Sequence, residues 1–197
     1  MSANRVFISS AVPLPVDNID TDQIIPARFL KQITKQGFGD NLFRDWRYQS
    51  NDQPNEQFVL NNPLYQGRIL VAGNNFGCGS SREHAAWALK QYGFDVVVSS
   101  EFADIFKNNA LNNAVLPIEV SHDFLHAIFS AIETQPTAQF EVNLEDQSFR
   151  IVDSGESIDF EIDPFKKQCL LEGMDELDYL HSLVGEIETF ESNHTIH

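Results

Sequence analysis

The sequence predicts an α/β fold in which a mainly parallel sheet is flanked by helices and followed by a mixed β and helical C-terminal part. Two observations carry this reading. From Arg68 to Ile132, short apolar runs bounded by turn residues alternate with stretches of helical spacing, the βαβαβα order of parallel strands joined by helices. After Gln139 the alternation gives way to short strands and then helices. With 197 residues and 42% hydrophobic content the chain can bury one good core, so residues 1–185 are expected to form a single domain and 186–197 a frayed tail.

The elements follow in order. Phe7 to Val12 reads as an edge strand, broken by Pro13 and Pro15 before the polar segment Val16 to Gln23. Ile24-Ile25-Pro26 leads into a short helix from about Ala27 to Gln32. Residues 36–62 are rich in Gly, Asn, Asp, Gln and aromatics without periodicity. They are expected to form a long loop with one helical turn near Leu42 to Tyr48, ordered only against substrate or a partner. Arg68 to Gly73 is a strand, and the helix after it ends at Tyr92, where Gly93 supplies a left-handed stop. Phe94 to Val98 is the next strand, Phe102 to Ala110 a helix, Val115 to Val120 a strand and Ser121 to Ile132 a helix. Phe140 to Leu144, Phe149 to Val152 and Ser157 to Ile162 are short strands, the first two joined by a hairpin around Asp146. Pro164 to Leu171 and Asp175 to Val184 are helices separated by Gly173.

Composition excludes several classes. Lys and Arg number 13 against 29 Asp and Glu, a net charge of -16 that argues against nucleic acid and anionic membranes as partners. Residues 141–197 hold 15 of the acids and 3 of the bases, which reads as a solvated face or, alternatively, a docking surface for a basic partner. Cys78 and Cys169 are the only thiols, too few for a disulfide framework or a four-thiolate metal site, and a cytoplasmic setting fits best. The first ten residues lack an apolar core and no run of 18 apolar residues occurs, so neither secretion nor a membrane span is expected. His122 and His126 stand at helical i,i+4 spacing without the glutamate of a zincin motif or a third ligand. They are read as helix surface, and no metal ligand is assigned.

The chemistry concentrates in Asn74 to Leu89, the turn between a strand and a helix. Backbone N–H groups of Gly77, Cys78 and Gly79 and the helix dipole make it a natural anion site, to which Arg82 adds a planar fork suited to a carboxylate or phosphate. Ser80 and Glu83 stand at capping-box spacing. Gly77-x-Gly79-x-x-Arg82 followed by Glu101 imitates a dinucleotide fingerprint, but Arg82 stands where a small residue should let helix and strand pack closely.

Three motifs, GCGSSREHAAWAL (Gly77 to Leu89), NIDTDQIIPARFLK (Asn18 to Lys31) and SSEFADIFKNNALNNAVLPI (Ser99 to Ile118), together resemble the small-subunit family of 3-isopropylmalate dehydratase, which is similar to the mobile fourth domain of aconitase. The resemblance implies a swivelling β/β/α domain and a larger partner subunit, in a heterodimer or higher assembly, that carries a [4Fe-4S] cluster with one iron open to substrate. This chain would bind no cofactor itself. It also implies a hydro-lyase that interconverts 2-isopropylmalate and 3-isopropylmalate through an enzyme-bound alkene in leucine biosynthesis. Homoaconitate-like or citraconate-like substrates, or a dinucleotide module, are the alternatives.

By the same resemblance Ser80 is the base that handles the carbon-bound proton, Arg82 clamps a substrate carboxylate with help from Ser81, and Asp22 of the TD motif positions active-site groups. Glu83 and His84 support them from behind, and Cys78 serves as a small residue in a tight turn. The second carboxylate-binding arginine of aconitase falls near Ile33 or Thr34, which leaves Arg28 and Lys31 as nearby cations that could hold another carboxylate or simply be surface charge. An apolar residue in place of a charged contact suits a pocket for an isopropyl group.

Overall fold

The computed structural model describes residues 6–31 and 37–174, together with 179, 181 and 183–185. The chain opens by switching sheets: β1 (Val6–Ser9) and β2 (Ala11–Leu14) are separate strands where one was expected. The break at Ser10 has a distant cause. Gly67 lies so close that a Cβ there would stand 2.0 Å from the Ser10 carbonyl oxygen, and the Arg68 N–H donates to the Ser9 hydroxyl at 2.9 Å. The later segment crosses the strand here and leaves Ser10 unpaired in either ladder.

Between β2 and the next strand, β3 (Ile69–Ala72), the described residues form α1 (Thr21–Ile24), α2 (Arg44–Arg47) and three 3-10 turns. Asp20 caps α1 in a complete capping box with Gln23. The helix expected over 27–32 is a 3-10 turn, Ala27–Phe29, and Gln32 lies outside the described residues. Residues 37–62 are not the partner-dependent loop that their lack of periodicity suggested. Phe38, Leu42 and Phe43 are fully buried, Phe43 stacks on Trp46 at 5.5 Å, and the Tyr92 hydroxyl donates to the Leu60 carbonyl at 2.9 Å. Arg47 holds the segment from within. Its guanidinium donates to the carbonyls of Gly39 and Leu42, both at 3.3 Å, while the Tyr92 ring lies 4.7 Å away. The expected helical turn is α2.

From β3 the alternation runs as predicted through α3 (Glu83–Tyr92), β4 (Val96–Ser99), α4 (Asp104–Asn112), β5 (Leu116–Glu119) and α5 (His122–Thr134). The four strands β2 to β5 pair in sequence order, all parallel. Right-handed crossovers between neighbours in such an order put successive helices on one face. Accordingly Leu70, Ala72 and Val97 pack with Ala85, Ala88 and Leu89 of α3 and Phe106 and Ala110 of α4. The alternate residues Ile69, Val71, Val96 and Val98 pack with Phe124, Leu125, Ile128 and Ile132 of α5. Burial on both faces is why these strands are continuous apolar runs. The two prolines sit in the edge strands, Pro13 in β2 and Pro117 in β5, where a missing N–H is tolerated.

The second sheet is antiparallel, in the order β1, β6 (Phe140–Asn143), β7 (Ser148–Ile151) and β8 (Ser157–Asp159). Phe140, Val142, Phe149 and Ile151 close the core on the α5 side, and each such buried side chain contributes about 1.5–3 kcal/mol. Helix α6 (Pro164–Glu172) starts on proline after the Asp163 cap and stops at left-handed Gly173. The helix expected over 175–184 falls largely outside the described residues, as does the tail 186–197. No helix among the described residues is long and apolar enough to cross a membrane.

Given this packing, Phe43→Ala is expected to cost about 3–5 kcal/mol in urea unfolding, as for a core aromatic, whereas a merely draped loop would lose under about 1 kcal/mol. His84 lies 5.2 Å from the Phe38 ring and 4.5 Å from the Trp87 ring, and burial holds its pKa below the ordinary imidazole value. Below about pH 6.5 the unfolded chain therefore takes up this proton more readily than the folded one, so stability falls as pH falls through that window. His84→Gln should lose this component, read as a smaller drop in urea midpoint between about pH 7.5 and about pH 5.5; an unchanged drop would show that His84 contributes none of it.

Candidate active site at the glycine turn

Parallel strands deliver their carboxyl ends to one edge of the sheet, where ligands of open α/β sheets bind. Here the segment after β2 and the segment after β3 run side by side and zip together. Asn18 N–H donates to the Asn74 carbonyl at 2.8 Å, Gly77 N–H to the Ile19 carbonyl at 2.8 Å, and Thr21 N–H to the Cys78 carbonyl at 2.9 Å. The Thr21 hydroxyl, in a residue only 2% exposed, donates to the Ser80 carbonyl at 2.8 Å. Side chains reinforce the pairing: the Asn74 N–H donates to Asp17 at 2.7 Å and the Asn75 amide to Asn18 at 2.9 Å. Asn18 and Asn75 both take left-handed backbone, which asparagine tolerates.

Gly77 is required by the turn. Its φ is +78°, and a Cβ would stand 2.2 Å from Phe106 Cγ, inside the cluster of Phe76, Phe102 and Phe106. Its N–H is engaged by Ile19, so this amide serves the fold rather than a bound anion as the sequence suggested.

The start of α3 also departs from expectation. The helix begins at Glu83 with Arg82 as N-cap, and no side chain caps it. Ser80 therefore is not the cap, and Glu83 does not reach back: its carboxylate accepts from Trp87 Nε1 at 3.3 Å and Asn113 Nδ2 at 3.1 Å. Ser80 and Ser81 are exposed ahead of the helix, and neither hydroxyl is engaged by another group among the described residues. Arg82 is drawn inward, its side chain 12% exposed, and forms a two-pronged ion pair with Asp22, Nη2 to Oδ2 at 2.6 Å, while Nη1 also donates to the Ile25 carbonyl at 3.3 Å. The structure thus joins Asp22, Ser80, Ser81 and Arg82 in one patch.

Arg28 and Lys31 are placed differently. Arg28 forks onto Asp45, Nη1 to Oδ2 at 3.1 Å, and that hydrogen bond holds the Asp45 carboxyl below its ordinary range. Lys31 is exposed. Burial and the neighbouring Asp20 carboxylate push the Cys78 thiol above its ordinary range. His122 and His126 are exposed on α5, and among the described residues no three His, Cys, Asp or Glu converge as metal ligands. Sequence patterns do not single out Thr21 as part of the site, although a local signal is present: Asp20-x-x-Gln23 is a capping-box spacing that marks where the backbone turns.

Comparison with known proteins places the chain in a family. The family model for the aconitase C-terminal domain matches residues 8–123, and the LeuD_N model matches residues 126–164. The 3-isopropylmalate dehydratase small subunit of Christiangramia forsetii is 58% identical, covering 92% of this chain and 89% of its own length. That of Herpetosiphon aurantiacus is 48% identical over 98% of this chain and 95% of its own. Among solved structures, the crystal structure of 3-isopropylmalate dehydratase from Methanocaldococcus jannaschii superposes with a TM-score of 0.68 at 26% identity, covering 93% of this chain and 99% of that one. Motif order, fold and relatives converge, and the chain belongs to the small-subunit family of 3-isopropylmalate dehydratase.

Proposed function

We propose that this chain is the small subunit of a hydro-lyase that interconverts 2-isopropylmalate and 3-isopropylmalate by dehydration and rehydration in leucine biosynthesis, and that it contributes the base and the carboxylate clamp. One observation carries the assignment of roles: an exposed, unengaged serine hydroxyl stands at the end of a braced turn, two residues from an arginine already holding a carboxylate in both prongs. Ser80 Oγ takes the proton from the carbon beside a substrate carboxylate and returns it on the other carbon after the alkene turns over. Ser81 donates to the substrate, and Arg82 binds a carboxylate in the geometry that Asp22 now displays. Asp22 is 54% exposed, so solvent reaches the carboxylate side of the pair, where a substrate carboxylate would have to enter.

The donor set of this chain does not fit an iron-sulfur cube. Cubane clusters are held by thiolates, whereas Cys78 sits in the glycine turn and Cys169 is buried in α6. The cluster, which would polarise the departing hydroxyl, is assigned to the larger partner subunit. The chain purified alone is therefore expected to lack the brown absorbance of a cluster and to have no dehydratase activity, both appearing on anaerobic co-expression with a cluster-bearing subunit. A brown, active preparation of the chain by itself would overturn this division.

The roles separate by mutation in the assembled complex. Ser80→Ala is expected to lower turnover by roughly 10²–10⁴-fold with KM and melting temperature nearly unchanged, since Ser80 caps no helix. Arg82→Lys keeps the charge but loses the fork, and is expected to raise KM as well as lower turnover. Near wild-type turnover in a folded, assembled Ser80→Ala complex would sink the assignment of the base.

A further inference from the structure

We propose that Thr21 is a positioning residue for Ser80, acting through the carbonyl of the serine; the inference rests on Ser80 being the base. The zipper between the two segments consists of backbone rungs as far as the bond from Thr21 N–H to the Cys78 carbonyl. There the first segment coils into α1, and the next amides turn back on their own helix, Ile24 N–H to the Asp20 carbonyl at 3.1 Å and Ile25 N–H to the Thr21 carbonyl at 3.0 Å. The Gln23 N–H likewise turns back to Asp20, and no backbone donor of this segment bonds the Ser80 carbonyl, two residues beyond Cys78. The Thr21 hydroxyl takes the place of the missing rung, at 2.8 Å.

That hydroxyl is itself held. The capping box of Asp20 and Gln23 fixes the backbone of Thr21, with bonds of 2.8 and 2.9 Å, and the β-branched side chain has few rotamers to choose from. Thr21 is 2% exposed, so its hydroxyl is aimed by packing and not by solvent. The turn lies flat against it: a Cβ on Gly79 would stand 3.8 Å from Thr21 Oγ1 and 3.4 Å from Asp20 Cβ. With the Cys78 and Ser80 carbonyls both pinned, the backbone is held on either side of Ser80 Cα, which limits the direction in which its Cα–Cβ bond leaves the turn. Arg82 is anchored separately, by Asp22 and the Ile25 carbonyl. Thr21 therefore controls the placement of the base without controlling the carboxylate clamp.

The test uses the complex co-expressed with the cluster-bearing subunit, assayed for turnover of 2-isopropylmalate and 3-isopropylmalate. Thr21→Val keeps the shape and removes the donor; kcat is expected to fall about 10- to 100-fold, the scale of a catalytic group displaced by about an ångström, with KM within about twofold. Thr21→Ala, which is smaller, should behave alike and replaces valine if that variant fails to assemble. Thr21→Ser restores the donor and should recover most of kcat, which a packing role for the methyl group would not allow. In the Ser80→Ala background, Thr21→Val should have no further effect on kcat. Wild-type kcat in Thr21→Val beside a disabled Ser80→Ala overturns the inference and leaves Ser80 as the base. An undiminished further loss in the double variant also overturns it, because Thr21 would then act elsewhere. Wild-type kcat in Ser80→Ala instead removes the reading beneath it.

Discussion

The structure depends on one pairing, that of the segment after β2 with the segment after β3. Strands so far apart in sequence are brought together because both faces of the parallel sheet are buried, and their carboxyl ends must then emerge side by side. What the sheet does not dictate is that the two emerging segments continue to bond to one another, through Asn18, Ile19 and Thr21 on one side and Asn74, Gly77, Cys78 and Ser80 on the other. Each net hydrogen bond is worth only about 0.5–1.5 kcal/mol, so the core supplies the stability and the zipper supplies the geometry. Gly77 admits the close approach of Phe106 that lets the turn lie down at all.

This division explains what the sequence could and could not tell. The βαβαβα order was legible because strand and helix periodicities are local and because β3, and β4 up to Ser99, are apolar runs. The split between β1 and β2 was not, since its cause is the approach of Gly67, more than fifty residues downstream. Nor was the order within residues 37–62: Phe38, Leu42 and Phe43 are buried by contact with other elements, and Arg47 bonds to carbonyls that no spacing rule places near it.

Two capping-box spacings show the limit most clearly. Asp20-x-x-Gln23 is realised and Ser80-x-x-Glu83 is not, although both satisfy the same residue pattern. Tertiary contacts decide. Ser80 is tied by its carbonyl to Thr21 two residues ahead of the N-cap Arg82, and Glu83 is recruited by Trp87 and Asn113. The residue identities of the candidate site were legible, because Ser80, Ser81 and Arg82 stand together in a motif. Their partnerships were not: the carboxylate facing Arg82 comes from Asp22, 60 positions away, and Arg28 is taken by Asp45 instead of joining the patch.

The exposure of the serines bears on how the site would work. A serine becomes a useful base only where fixed dipoles and cations stabilise its alkoxide in surroundings that exclude water. In the isolated chain Ser80 and Ser81 have a braced backbone beneath them but face outward, and Arg82 has its charge balanced by Asp22. The patch thus combines a braced backbone with serine side chains open to solvent. A surface that covers Ser80 and brings a substrate carboxylate to Arg82 would at once strengthen every electrostatic contact in the patch and remove the solvent that now competes for the serine hydroxyl. The division of labour proposed for the two subunits would then have a physical basis: this chain would hold the serine in place, and cover by the partner would complete the surroundings in which its alkoxide can form.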